Sequence, residues 1–354
     1  MRMRPKSTSR DLPPRMLRRT RTLKSGAIWE GFYYNGRDAA GKRVEIPLGS
    51  DIHEAKRKWA ELECVEAPPN TSLMEYVFNR YIKEILPTKA ASTQRDNTDA
   101  LKNLRPVFDK APIDGITPQA IAQYRDKRSA KVRANREITL LSHVFNMARE
   151  WGFTAKENPC KGVRKNKEAP RDFYADAEVW DAVYAQASIE LQDAMDVAYL
   201  TGQRPSDVRK LMVTDIRDNA LHVRQGKTKK YLRIQLETDG VQSELGQVLD
   251  RIAKRPGKIR SLYVVATPNG QPLTRSILRR RFDTARAAAV KAATEAGKES
   301  LAGRLRNFQF RDSRAKAASE IVDVLQASKL LGHTEQKITK DVYRRVGEAV
   351  KPTR

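Results

Sequence analysis

Two short runs of apolar and aromatic residues begin the hydrophobic pattern of the chain. IWEGFYY (residues 28–34) and KRVEIPL (residues 42–48) have the length and composition of strands. Asn35-Gly36 between them predicts a turn. The next apolar positions recur at helical spacing, after Ser50 or Asp51 as a candidate cap: Ile52, Ala55, Trp59 and Leu62. The pattern predicts a small sheet covered by one helix.

A longer helical pattern extends from Leu73 to about Phe153. Its clearest apolar face combines positions three and four apart: Ile138, Leu141, Val144, Phe145, Ala148 and Trp151. Four or five helices fit into this length. A Pro/Asn/Ser-rich linker precedes the pattern at residues 66–72, and a basic stretch, residues 161–171, follows it as an exposed connector.

From about Phe173 onward the pattern alternates between helices and short strands. LHVRQ (residues 221–225) and YLRIQL (residues 231–236) flank GKTKK, which predicts a β-hairpin with a positively charged tip. SLYVVATPNGQPL adds an extended segment with a turn at Asn269-Gly270.

The charge balance is the feature of the composition that says most about the function of the protein. The 354 residues include 68 Lys and Arg against 43 Asp and Glu, a formal net charge of +25. An excess of this size indicates a polyanionic partner, most often nucleic acid. Residues 1–24 hold nine of the basic residues against one acid, which predicts a flexible basic arm.

Cysteine and histidine usage narrows the class of protein. Cys64 and Cys160 are the only cysteines, too few for a disulfide framework, so we expect a reducing cytoplasm. The four histidines form no pair at metal-ligand spacing. No signal peptide or membrane-spanning run is recognisable. We therefore expect a soluble protein of a reducing cytoplasm, without a disulfide framework or a metal site.

Five separated stretches between residues 199 and 343 carry candidate chemistry. Each is weak alone, because a lone arginine turn, lysine-rich loop or terminal tyrosine usually has a structural role. In chain order they are YLTGQRPSDVRKL with Arg204, the hairpin tip with Lys227, Lys229 and Lys230, NFQFRDSRAKAASE with Arg311 and Arg314, Leu331-Gly332-His333, and Tyr343. Spacing places Arg311 and Arg314 on one face of a helix that begins near Asp312.

Such a set can perform phosphodiester transesterification. Arginine forks bind the nonbridging phosphate oxygens, where the transition state gathers negative charge. A tyrosine can then attack the phosphorus and keep the energy of the broken bond in a covalent phosphotyrosine. Nearby cations ease the loss of the phenolic proton.

This ordered set resembles the catalytic pattern of the tyrosine recombinases, or phage integrase family, over residues 173–347. The resemblance implies that Arg204 and Arg314 clamp the phosphate and that Tyr343 is the nucleophile. Lys227, in Gly-Lys-Thr at the hairpin, would protonate the leaving 5′ oxygen, with Lys229 as a less favoured alternative. His333 would contact the phosphate and support the site.

One position departs from the family pattern. The family has a histidine three residues before the second arginine, whereas this chain has Arg311. An arginine can neutralise phosphate charge but cannot give up a proton. We therefore expect Arg311 to contribute charge only.

The amino-terminal parts resemble lambda-type integrases. RDLPPRMLRRT and the following sheet and helix are similar to an arm-binding domain, and Asn158-Pro159 closes a segment similar to a core-binding domain. The predicted fold is therefore multidomain: a small α+β arm-binding domain (1–65), an all-α core-binding domain (70–165) and a mixed α/β, mainly helical catalytic domain (172–354).

This resemblance implies a site-specific recombinase that integrates, and also excises, a mobile element. It implies double-stranded DNA with core and arm-type sites as the partner and a homotetramer on DNA, and it leaves a host DNA-bending protein and an excisionase open as further partners. Two rivals remain. One is a DNA-binding architectural protein with an inactive site, favoured by Arg311. The other is a type IB topoisomerase-like enzyme, which would not need an arm-binding domain.

Overall fold

The chain divides into two compact units, Met1–Glu168 and Ala169–Arg354. Most of the fold is helical, with three small antiparallel sheets in the described part of the chain. The computed structural model describes residues 11–37, 42–63, 70–255 and 261–347.

A three-stranded antiparallel sheet with one helix begins unit 1. Its elements follow one another along the chain and pair in that order: β1 (Met16–Thr22), β2 (Ile28–Arg37), β3 (Arg43–Gly49) and helix α1 (Ile52–Glu63). Apolar residues of all four form one core: Met16, Phe32, Tyr34, Leu48 and Ala55. Asp51 caps the helix, because its Oδ1 accepts the amides of His53 at 2.9 Å and Glu54 at 2.8 Å. The predicted sheet and helix are confirmed.

The predicted turn at Asn35-Gly36 is wrong. Both residues lie inside strand β2, where Asn35 pairs with Glu45 and Gly36 with Val44. Their local preference for a turn is outweighed by the ladder of backbone hydrogen bonds that continues to the end of the strand.

The predicted flexible arm is also wrong in part. Residues 16–22 of that arm form strand β1, whose seven residues all pair with strand β2. Three arginines of this strand lie over aromatic rings of strand β2, at 5.0 to 5.7 Å from guanidinium carbon to ring centroid: Arg18, Arg19 and Arg21. Residues 1–10 lie outside the described residues.

The rest of unit 1 is helical, as predicted. Four α-helices surround a second core: α2 (Met74–Arg80), α3 (Ala91–Phe108), α4 (Pro118–Lys127) and α5 (Lys131–Glu150). The predicted apolar face of α5 is buried from Ile138 to Ala148, and Trp151 packs against it. Residues 161–171 form neither helix nor strand, as expected for a connector.

Unit 2 contains nine α-helices in its described part: α6 (Ala177–Ala185), α7 (Ile189–Thr201), α8 (Pro205–Val208), α9 (Glu244–Lys254), α10 (Arg275–Glu295), α11 (Glu299–Asn307), α12 (Ser313–Glu320), α13 (Val324–Leu331) and α14 (Gln336–Ile338). Helices α6 to α11 contribute residues to its hydrophobic core. Its strands are short: β4 (Ile216–Arg217), β5 (Ala220–Arg224), β6 (Tyr231–Gln235), β7 (Glu237–Thr238) and β8 (Val241–Gln242). Strands β5 and β6 form the predicted hairpin.

Helix α12 is the element that most constrains the positions of polar groups in unit 2. Every residue from 313 to 319 is buried. A helix enclosed on all sides holds its side chains in fixed positions, which suits it to carry groups whose geometry matters.

Candidate active site

Arg204 follows a sharp end of helix α7. Gly202 ends that helix with a left-handed φ of 62°, and Pro205 begins helix α8 directly after the arginine. Within the described ranges, the polar contacts of the half-buried Arg204 side chain are long, from Nη1 to Gln225 Oε1 at 3.4 Å and to Asp207 Oδ2 at 4.0 Å. Most of its five donors therefore remain available to an anion.

Arg314, on helix α12, is only 2 % exposed. Its Nη1 donates to the carbonyl of Gly202 at 2.5 Å and its Nη2 to the carbonyl of Leu331 at 2.7 Å. Its Nε is buried without an acceptor in the described part of the chain. Burial, followed by the charge of Arg204, lowers the pKa of Arg314 to about 10, so the group is still a cation at neutral pH.

His333 follows Gly332, which ends helix α13 with a left-handed φ of 68°. Its Nε2 lies 3.0 Å from Nη2 of Arg314, and its Nδ1 lies 2.7 Å from the hydroxyl of Thr339. Burial lowers the pKa of His333 to about 4, and the charges of Arg314, Arg204 and Lys230 add to that effect.

Tyr343 lies beside both of these groups, on a π-helical turn, Thr339–Tyr343. Its ring centroid is 5.0 Å from the guanidinium carbon of Arg314 and 4.9 Å from the ring centroid of His333. The tyrosine is half-buried. A tyrosine in such a position is in contact with the Arg314 cation of its own chain.

The three lysines of the hairpin differ in position. Lys230 donates from Nζ to the carbonyl of His333 at 3.2 Å. Lys227 and Lys229 are exposed, and Lys229 has a left-handed φ of 60°. The backbone before Lys227 is fixed, because the amide of Gly226 donates to Oδ1 of Asp207 at 3.0 Å.

The prediction that Arg311 shares a helix face with Arg314 is wrong. Arg311 precedes helix α12, on the 3₁₀ turn Phe310–Asp312, and it is exposed whereas Arg314 is buried. In the described residues its side chain has neither a hydrogen bond nor an ion pair. The two arginines separate because the tighter turn before the helix changes the angle between them.

Two buried glutamines connect these elements and were missed by sequence reasoning. Gln225 donates from Nε2 to Gln203 Oε1 at 2.8 Å and to the carbonyl of Leu331 at 2.9 Å. Gln203 also donates to the carbonyl of Leu330 at 3.0 Å. This network joins the arginine turn, the hairpin and the end of helix α13. Sequence reasoning also missed Thr339, which supports His333, and Asp207, which supports the hairpin. No local sequence signal distinguishes these two residues or the two glutamines.

Unit 1 contains one further group whose reactivity the structure informs. Cys160 is a free thiol whose pKa is raised to about 12 by burial, which makes it unreactive at neutral pH. His, Cys, Asp and Glu side chains of the described ranges form no group of three or more that could hold a metal ion. No described helix has the length and apolar character needed to cross a bilayer.

Comparison with known proteins identifies the family. Residues 174–349 match the model of the phage integrase family. The integrase of Escherichia phage HK022 is 27 % identical over 304 residues, which cover 78 % of this chain and 80 % of that protein. The chain belongs to the phage integrase family. It is a site-specific tyrosine recombinase and therefore a DNA strand transferase.

This phage integrase also shares its fold with solved structures. A lambda integrase dimer bound to a COC′ core site is similar with a TM-score of 0.65 and 22 % identity, covering 98 % of this chain and 99 % of that one. A lambda integrase tetramer bound to a Holliday junction is similar with a TM-score of 0.64 and 22 % identity, covering 97 % and 99 %.

The candidate site lies within the segment matched by the family model. The integrase brings four of the six residues expected from its sequence into one cluster: Arg204, Arg314, His333 and Tyr343. Lys227 and Arg311 are exposed. Arg311 lies on the turn that leads into helix α12, and Lys227 lies on the hairpin next to the Asp207 anchor.

Proposed function

We propose that this recombinase cuts and rejoins DNA through a covalent bond between Tyr343 and a 3′ phosphate. The observation that carries the proposal is the position of the Tyr343 ring, 5.0 Å from the guanidinium carbon of Arg314 and beside His333. A phosphate placed against Arg314 and Arg204 would lie within reach of the phenol.

The arginines supply the charge that the reaction needs. Arg314 has a buried Nε donor without an acceptor in the described residues, and a buried donor of this kind favours an anionic oxygen. Arg204 adds further donors from the neighbouring turn. Together they bind the two nonbridging oxygens and stabilise the charge that accumulates as phosphorus becomes five-coordinate.

The covalent step then balances without a cofactor. The phenolic oxygen of Tyr343 bonds to phosphorus, the bond to the 5′ oxygen breaks, and that oxygen takes a proton from Lys227. The phenol proton passes to solvent water, and the proton given up by Lys227 completes the 5′ hydroxyl. The reverse reaction with a 5′ hydroxyl of another strand joins the strands and frees the tyrosine, so no nucleotide is consumed.

Lys227 is the proposed acid because its side chain has no polar partner among the described residues and because the backbone just before it is anchored. Asp207 holds the preceding amide at 3.0 Å beside the Arg204 turn. The ammonium of Lys230 already donates to the carbonyl of His333, so we assign it a supporting role. Arg311, exposed and without a partner in the described part, contributes charge toward DNA.

The amino-terminal parts complete the proposal. We assign residues 11–63, with the arginine-rich strand β1, to an arm-binding domain and residues 70–165 to a core-binding domain. Lambda integrase has been solved as a tetramer on a Holliday junction, and we extend this assembly to the present chain. It would integrate a mobile element into DNA of its bacterial host, and excise it with accessory proteins.

A nicked duplex tests the covalent step. Cleavage next to a nick releases a short fragment, so an intermediate that forms cannot be resealed and accumulates as a protein–DNA adduct. We expect this adduct with the wild-type protein and none with Tyr343→Phe. Recombination between two sites, measured in the same preparation, then separates a recombinase from an enzyme that only relaxes supercoils. An adduct that persists in Tyr343→Phe would place the nucleophile elsewhere.

A further inference from the structure

The tyrosine segment, residues 339–345, leaves apolar side-chain surface exposed. Val342 is 44 % exposed, and Val346, which follows the segment, is 45 % exposed. Apolar burial on this side of the segment therefore contributes little to its docking. Polar contacts of its backbone must carry more of the stabilisation.

One hydroxyl provides two of those polar contacts. Oγ of Ser319 donates to the carbonyl oxygen of Tyr343 at 3.3 Å and accepts the amide of Arg345 at 2.8 Å. Ser319 is 7 % exposed and lies on helix α12. The helix that carries Arg314 thus also holds the backbone of Tyr343.

A second contact fixes the other end of the segment. The amide of Arg344 donates to the carbonyl of Thr339 at 2.9 Å, and the hydroxyl of Thr339 lies 2.7 Å from His333. Tyr343 therefore lies between an attachment to His333 and an attachment to helix α12. Among the described residues, Ser319 is the one whose side chain contacts the tyrosine's own backbone.

We infer that Ser319 is a positioning residue that docks the nucleophile in the site of its own chain. The inference rests on the proposed role of Tyr343. Loss of the hydroxyl removes the partner of the Tyr343 carbonyl and of the Arg345 amide. The segment then samples other positions, and fewer molecules hold the phenol in line with the phosphate. The side chains of Arg204 and Arg314 do not depend on this hydroxyl and stay in place.

Ser319→Ala in the full-length protein tests the inference on the nicked duplex. Alanine favours the helix, so helix α12 is retained. At saturating DNA we expect the rate of adduct formation to fall about tenfold, the effect of losing hydrogen bonds of ordinary strength, with duplex affinity unchanged. Ser328→Ala is the matched control, because Ser328 is also buried in unit 2 and, in the part of the chain that the structure describes, its hydroxyl forms no hydrogen bond with the tyrosine segment.

A small external nucleophile separates positioning from general damage to the site. In Tyr343→Phe, hydrogen peroxide can attack the phosphorus in place of the phenol, using the same arginines. We expect Tyr343→Phe and the double variant Tyr343→Phe/Ser319→Ala to cleave equally fast with peroxide. A loss confined to the tyrosine-dependent reaction supports the inference.

Three outcomes would overturn it: a wild-type rate of adduct formation in Ser319→Ala, an equal loss in Ser328→Ala, or a parallel loss of peroxide cleavage in the double variant. Failure of the proposed function looks different. In that case the wild-type protein itself forms no adduct at Tyr343, whatever residue occupies position 319.

Discussion

Nη2 of Arg314 lies 3.0 Å from Nε2 of His333 in the candidate site. A guanidinium group can only donate hydrogen bonds, so Nε2 must be the acceptor. The imidazole is therefore neutral, with its proton on Nδ1 facing the hydroxyl of Thr339. His333 in this arrangement orients Arg314 rather than acting as an acid.

We expect this pairing to make the stability of the protein depend on pH. The pKa of His333 is lowered from 6.5 to about 4, so the unfolded chain binds the proton more readily than the folded one. The contribution to stability is present above pH 6.5 and is lost as the pH falls toward 4. Between pH 7.5 and 5 the loss should be about 2 kcal/mol.

Calorimetry of the full chain at these two pH values checks this expectation. His333→Gln keeps a polar side chain that does not titrate, so its unfolding free energy should fall about 2 kcal/mol less than that of the wild type. The difference between the two proteins removes the contribution of the carboxylates. An equal fall in unfolding free energy in both proteins would show that the pKa of His333 is the same in the folded protein as in the unfolded chain.

We expect the two arginines to differ in their effects on stability but not on cleavage. Arg204→Ala and Arg314→Ala should each lower the cleavage rate by about 10²-fold to 10³-fold, since each removes donors to the phosphate. Arg314→Ala also leaves the buried carbonyl of Gly202 without a donor and that of Leu331 with Gln225 as its remaining donor, and it should cost about 2 kcal/mol of stability. Arg204→Ala removes only long contacts and should cost about 0.5 kcal/mol or less.

Single-turnover cleavage and thermal melting of both variants provide the measurement. Duplex binding serves as the control, because most affinity for DNA comes from many other phosphate contacts. Substantial cleavage by either variant would count against the assignment of these arginines to the phosphate.

Local signals account for the parts of the fold that were predictable. The cap at Asp51, the hairpin of strands β5 and β6 and the apolar face of helix α5 each depend on residues close together in sequence. Asn35-Gly36 shows the limit of such reasoning. The local turn preference of these two residues is outweighed by their pairing with strand β3, about ten residues further along the chain.

The candidate site was predictable in its reactive residues but not in its supports. Arg204 and Tyr343 stand in motifs that a family pattern makes visible. Gln225 and Thr339 do not, because their roles arise from contacts that only the folded chain brings about. Gln225 meets Leu331 across 106 positions, and a buried glutamine has the same local sequence pattern as an exposed one.

We expect Lys227 to be the residue that protonates the leaving group. Lys227→Gln should slow cleavage by about 10²-fold or more, the usual contribution of a general acid. A substrate with sulfur in place of the 5′ bridging oxygen should restore most of that rate, because a thiolate leaves without a proton. Lys229→Gln, also exposed at the hairpin tip, is the control and should cleave both substrates at the wild-type rate.

The same pair of substrates decides between the lysines. Sulfur rescue of Lys230→Gln, with none for Lys227→Gln, would move the acid to the lysine that already donates to His333. Loss of rate in Lys227→Gln without sulfur rescue would give that lysine a role in charge stabilisation alone.

We expect deletion of residues 1–64 to separate cleavage from integration. The segment from strand β1 to helix α1 has its own hydrophobic core, distinct from that of the following helices. Its removal should therefore leave core-site cleavage unchanged. Integration between complete attachment sites should fall by about 10²-fold or more, because binding at two linked sites multiplies the affinities.

Arg21→Gln offers a milder version of this change, since Arg21 is exposed and lies over Trp29. Its binding to arm-site DNA should show a salt dependence reduced by about one phosphate contact, measured by titration at several salt concentrations. Unchanged integration by the truncated protein would exclude the arm-binding assignment, whereas unchanged salt dependence in Arg21→Gln would exclude only this face of the sheet.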